Sequence, residues 1–257
     1  MEKVIIEDGK HSNRNLKATK KNAERKDCKM KYLISFAIML IAGSCNTQNK
    51  STVGQNDFDN QLKVFESLGY KLNEGITKEI IFENLKGNYL SNTDLEEVFK
   101  KPKFELLYYC LGWQHAYPPI YYTNNCIWYD IEFIDPSSEY ITFMTRMGTI
   151  TGGELVFSEI SLFVDNENYE WIDFKVNDVH KKWKLAETGY IDDAFFQRFS
   201  YLPKEFNTKG KYTYYDNGGQ QFVIDYATEE EQKLFIEKTG LKREWLGEGN
   251  HFSEPKD

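Results

Sequence analysis

Asn177-Asp178 separates two strand-like runs, Tyr169–Val176 and Val179–Lys184, and no other dipeptide restricts the fold as much. Asn and Asp tolerate the positive φ that a type I′ turn demands, so the dipeptide predicts a two-residue β-hairpin. That register sets Val176 opposite Val179, Asp173 opposite Lys182 and Trp171 opposite Lys184. The three pairs are a hydrophobic contact, an ion pair and a cation–π contact, each worth a fraction of a kcal/mol. Upstream, Ile160, Leu162 and Val164 alternate before the turn residues Asp165-Asn166-Glu167-Asn168, which extends the hairpin to a three-stranded meander.

The segments on either side are equally well punctuated. Asp57 is placed to cap a helix through Leu68 that Gly69 stops, and Thr77 to cap Lys78–Lys86 before Gly87. Thr93-Asp94-Leu95-Glu96 is a capping box, and Pro102 opens Lys103–Leu111, closed by Gly112. Beyond Gly112 the period changes: Ile127, Tyr129, Ile131 and Phe133 recur at every second residue, as in a strand. Asp135-Pro136 opens a helix carrying Tyr140, Phe143, Met144 and Met147, and Asp192 or Asp193 opens one displaying Phe195, Phe196 and Phe199. A second hairpin is expected from Lys211–Tyr215 and Gln221–Tyr226, followed by a capping box at Thr228–Glu231 and a helix ending at Gly240. The expected class is α+β: a short N-terminal helical layer, then a mainly antiparallel sheet of hairpins and meander with interspersed amphipathic helices. Residues 57–257 form the globular part, in which 57–112 is a candidate helical subdomain.

Upstream of that domain lies Met30 to Cys45, with Lys29 and Lys31 before the apolar run Leu33–Ala42, broken only by Ser35. A charged start, a short apolar stretch and small residues at its end are the parts of a signal peptide; a membrane span needs ~20 apolar residues. Ala42-Gly43-Ser44-Cys45 resembles the lipobox of bacterial lipoproteins, except that Ala42 stands where leucine is usual. The resemblance covers residues 30–45 and implies a diacylglyceryl group on the Cys45 thiol and cleavage before it. Residues 30–44 are then the signal peptide and 45–56 a flexible, lipid-anchored tether. Residues 1–29 include Glu2, Glu7, Asp8, Glu24 and Asp27 and suit no signal n-region, so translation is expected to start at Met30, with 1–29 a mis-assigned start or else a disordered arm. The expected address is the bacterial cell envelope. Asn46–Lys50 has no acidic run, which favours a periplasm-facing anchor over the cell surface.

Of 32 basic and 40 acidic residues, ten and five lie in residues 1–44, so removing the leader changes the net charge from −8 to −13. An acidic surface repels phosphate backbones, which argues against nucleic acid; it suits a basic protein partner or serves only to keep the protein soluble, the favoured reading, and the membrane is reached through Cys45. Cys110 and Cys126 are the only cysteines of the globular part; buried free thiols are the preferred reading, with a disulfide between them as the alternative. No CxxC, HExxH, GxSxG or P-loop is present, so the expectation is no catalytic residue, no metal site and no cofactor.

The densest chemical feature is Tyr108–Tyr122, in which Trp113, His115, Tyr117, Tyr121 and Tyr122 are the candidate binding residues. As an aromatic platform they suit a sugar ring or a protein hot spot; as packing they cover the join between helices and sheet, which is the favoured reading. His115 has no patterned nucleophile near it. The sequence therefore points to a non-catalytic, envelope-anchored binding module. The globular part is similar in texture to small acidic bacterial immunity proteins, which implies neutralisation of a toxin. A carbohydrate- or small-ligand-binding lipoprotein and an envelope enzyme are the alternatives.

Overall fold

The computed structural model describes residues 51–89, 103–115, 119–130, 136–185, 193–216, 218 and 221–248. The leader, Cys45, Tyr117 and the Thr93–Glu96 capping box lie outside the described residues. The fold is α+β. Its elements are α1 (Ser51–Ser67), α2 (Lys78–Tyr89), α3 (Glu105–Leu111), β1 (Gln114–His115), β2 (Ile120–Tyr121), β3 (Cys126–Asp130), α4 (Pro136–Ile150), β4 (Phe157–Val164), β5 (Glu170–Val176) and β6 (Val179–Lys184). They are followed by α5 (Asp193–Glu205), β7 (Lys211–Asp216), β8 (Gln221–Ala227), α6 (Glu229–Thr239) and β9 (Glu244–Trp245).

A four-stranded antiparallel sheet, in the order β3-β8-β7-β9, runs through the middle. Alternate residues of its strands enter two different cores. Cys126, Tyr215 and Val223 join Phe58, Phe65, Leu85, Leu107 and Phe235 of α1, α2, α3 and α6. Ile127, Tyr129, Tyr212, Phe222 and Ile224 join Phe143, Met144, Phe196 and Phe199 of α4 and α5. The 57–112 helices share their core with α6 and the sheet, and residues 49–257 form one compact unit.

A second sheet, β4-β5-β6, closes the far side of α5. That helix lies between the two sheets: Phe199 meets Tyr212 at 5.8 Å on one side and Trp183 at 5.2 Å on the other. Truncating a ring so enclosed costs about 3–5 kcal/mol.

The hairpin register is as expected, with Val176↔Val179, Asp173↔Lys182 and Trp171↔Lys184 directly paired and Asn177 and Asp178 both at positive φ. Their side chains partner differently. His180 sits 2.9 Å from the Asp173 carboxylate, and Lys182 lies 4.1 Å from the centre of the Trp171 ring, closer than Lys184 at 6.0 Å. Diagonal neighbours are within reach of long side chains on a twisted sheet, and here they win.

Several boundaries move. Helix α1 starts at Ser51, so Asp57 lies inside it and residues 51–56 of the expected tether are helical. Helix α2 continues through Gly87 to Tyr89, because a glycine costs an exposed helix only ~1 kcal/mol. Helix α3 starts at Glu105 behind Phe104, whose φ of 78° excludes it from the helix. The capping box of α6 forms as expected: Thr228 accepts from the Glu231 amide, and Glu231 accepts from the Thr228 amide at 2.8 Å. Gly112 ends α3 with φ −79°, so positive φ is not the reason for glycine there. A Cβ at that position would sit 2.2 Å from the Trp128 backbone nitrogen, against which α3 is pressed.

Candidate functional site

The short hairpin β1–β2 disperses the aromatic stretch that the sequence offered as a platform. Tyr122 is a correction: only 1 % exposed, it belongs to the helical core, and its hydroxyl accepts from the Asn84 amide. The same Asn84 nitrogen is 3.2 Å from His115 Nδ1, which ties the histidine to α2. Trp113 packs edge-to-face against Trp128 at 5.9 Å, and Tyr121 lies over the Arg146 guanidinium at 3.8 Å. His115 and Tyr122 thus share Asn84, with ring centres 6.3 Å apart, whereas Trp113 and Tyr121 serve separate contacts. Cys110 and Cys126 are both buried free thiols, not a disulfide, and burial pushes both thiols well above their usual pKa.

Two buried arginines, neither singled out by the sequence, hold this half of the molecule together. Arg146 of α4 is 4 % exposed and has no carboxylate partner among the described residues. Its Nη2 donates to the carbonyls of Thr123 and Cys126, both at 2.9 Å, and its Nη1 to Asn124 Oδ1 at 2.9 Å. Burial pulls its pKa below the ordinary arginine value, and the carbonyl dipoles with the Tyr121 ring stand in for a counter-ion. The arginine therefore clips the β2–β3 turn to α4.

Arg243, before β9, does have a counter-ion. Its Nη1 donates to Asp225 Oδ2 at 2.7 Å, its Nε to Gln232 Oε1 at 2.5 Å, and its guanidinium stacks on Phe235 at 3.9 Å. Asp225 also accepts from the hydroxyls of Tyr70 and Tyr108 and from the Tyr226 amide. Burial pushes the Asp225 carboxyl above the usual carboxylate range, and Arg243 and the tyrosines pull it back only in part. Burial is the strongest single influence on Arg243 and opposes its charge, but Asp225, Tyr108 and Tyr70 together outweigh it and raise its pKa. This network joins the loop after α1, α3, β8, α6 and the approach to β9. With both charges sealed from solvent, it organises the core and offers no reacting atom to a substrate.

The exposed chemistry lies elsewhere, on the outer face of β4–β6. The inner face buries Ile172, Phe174, Val176 and Trp183, so alternation turns Phe163, Trp171, Asp173, Lys182 and Lys184 outward. Lys182 Nζ lies 4.6 Å from the Phe163 ring centre as well as on Trp171, and Lys184 Nζ lies on Tyr169 at 3.1 Å. Asp165 accepts from Trp171 Nε1 at 2.7 Å and from the amides of Glu167 and Tyr169, an arrangement that locks the β4–β5 turn. The Trp171 indole hydrogen bond is the first cause holding the Asp165 carboxyl below its usual pKa. The face therefore carries three rings and both signs of charge. Its period-2 pattern was legible in the sequence, but which side of the meander would remain uncovered was not.

No group of metal-ligating side chains converges, and no helix is long and apolar enough to cross a membrane, among the described residues. No protein-family model, curated protein or solved structure matches this chain.

Proposed function

We propose that this chain is an envelope-anchored lipoprotein whose globular part binds a protein partner through the outer face of β4–β6, as an immunity-type module that neutralises a toxin. The observation that carries the reading is the aromatic patch of Phe163, Tyr169 and Trp171 on an uncovered sheet face, with Phe163 37 % exposed. Tryptophan and tyrosine are the residues on which interface energy concentrates. The lipobox-like run ending at Cys45 supports the anchor, and the charge of −8, or −13 without the leader, favours a basic partner through electrostatic steering. Asp165 and Asp173 lie among the rings to meet such a partner.

Two substitutions test the two halves of the proposal separately. Cys45→Ser should lose metabolic lipid labelling and move the protein from the membrane to the soluble fraction; unchanged fractionation would overturn the anchor. The double variant Phe163→Ala/Trp171→Ala should stay in the membrane fraction yet lose protection against a co-encoded toxin. Full protection by that variant would overturn the contact face. If deleting the gene sensitised cells to no co-encoded effector, the immunity role would be wrong.

A further inference from the structure

A cleft of about 170 Å³ opens where α5 passes the turn after β9, lined by Gln197, Ser200 and Tyr201 on one side and Trp245, Gly247 and Glu248 on the other. A cavity of ~150 Å³ holds one benzene ring, so this space takes a single six-membered ring. Gly247 keeps it open. With φ +79°, a Cβ there would come within 2.5 Å of Ser200 Oγ and 3.1 Å of Gln197 Nε2.

The walls specify the chemistry of the ring. Gln197 is 5 % exposed, and its Nε2 donates to the Tyr201 hydroxyl at 3.2 Å. Its Oε1 receives no hydrogen bond among the described residues. That oxygen is not among the atoms sealed from solvent, so a ligand hydroxyl entering the cleft replaces a water on it at little cost. Ser200 donates its own proton to the Gln197 carbonyl at 2.7 Å, leaving its oxygen free to accept. Glu248 is exposed at the rim and adds a carboxylate acceptor. Tyr201, 44 % exposed, and the half-buried Trp245 supply aromatic surface. Several acceptors around a ring-sized space call for a ring rich in hydroxyl donors. A plain hydrocarbon ring would leave the acceptors unsatisfied; Lys211 also lines the cleft but is paired with Glu229 at 3.0 Å, so Glu248 would repel an anion.

We infer that this cleft binds one pyranose residue of a neutral sugar, its hydroxyls on Gln197, Ser200 and Glu248 and its C–H face against an aromatic side chain. The site is separate from the β4–β6 face and does not depend on it. The test is a ¹H–¹⁵N titration of the folded chain with glucose, galactose and N-acetylglucosamine, with benzoate as an anionic ring control. At least one sugar should shift the Gln197 side-chain amide and the Trp245 indole N–H saturably, with a Kd of ~1 mM, while benzoate shifts neither. Tyr201→Ala, at a position 44 % exposed, should weaken the response about tenfold. The proposal is overturned if no sugar shifts either resonance, if benzoate saturates the same resonances, or if Tyr201→Ala binds as tightly as the parent chain.

Discussion

The two sheets are built from strands of similar length and end in opposite situations. Residues Tyr212 to Tyr215 of β7 and Phe222 to Asp225 of β8 are all buried, since helices cover both faces of the central sheet. Along β5 burial alternates, with Ile172, Phe174 and Val176 inside and Trp171, Asp173 and Lys175 facing outward. The contrast shows in how each sheet treats charge. Asp225 in the central sheet needs a guanidinium, tyrosine hydroxyls and an amide around it. Lys182 on the meander needs only two aromatic rings and water. Coulomb interactions in water are weak and in a dry interior strong, so only the covered sheet must pair its charges.

Alkaline titration should separate the sheets most. Burial raises the pKa values of Tyr70, Tyr108 and Tyr212, all packed on the central sheet, well above the ordinary value. Above pH ~10 the unfolded chain loses these phenolic protons while the folded chain retains them. Stability is therefore complete below that pH and falls as pH rises, by about 4 kcal/mol per pH unit for the three together. Urea unfolding midpoints measured from pH 9 to 11.5 should drop steeply, and a flat profile would contradict the burial described for these rings.

Asp225→Asn comes next. It leaves Arg243, with its side chain 2 % exposed, without a counter-charge and should cost about 3–5 kcal/mol in urea unfolding. Within β5 itself, Ile172→Ala on the covered face should cost about 2–5 kcal/mol, against less than ~1 kcal/mol for Asp173→Ala on the open face. Equal losses at these adjacent positions would mean that the outer face is not exposed. Lys182→Ala should be the mildest, about 0.5–1 kcal/mol from the exposed cation–π contacts.

Much of the local structure was legible in the sequence, for identifiable reasons. Asn177-Asp178 set the β5–β6 register because a turn of two residues leaves one pairing open. Thr228 and Glu231 marked the start of α6 because a capping box satisfies its own donors. The aromatic stretch misled, because adjacency in sequence says little about a common face once a hairpin intervenes: Tyr121 went to Arg146 and Tyr122 to the helical core. Arg146, Arg243 and Asp225 gave no signal, since a charged residue in sequence looks the same whether it ends in water or in a core.

What the sequence by itself determined is therefore local: the capping box that starts α6, the β5–β6 turn and its register, and the period of the strands. Steric limits on φ and hydrogen bonds over three or four residues act before any distant contact exists, so a short window carries them. What only the tertiary structure decided is non-local: the pairing of β3 with β8, the burial of α5 between two sheets, the Arg243–Asp225 pair and the cleft beside Gly247. Each of these depends on which apolar faces meet, and that depends on the whole chain's burial at once.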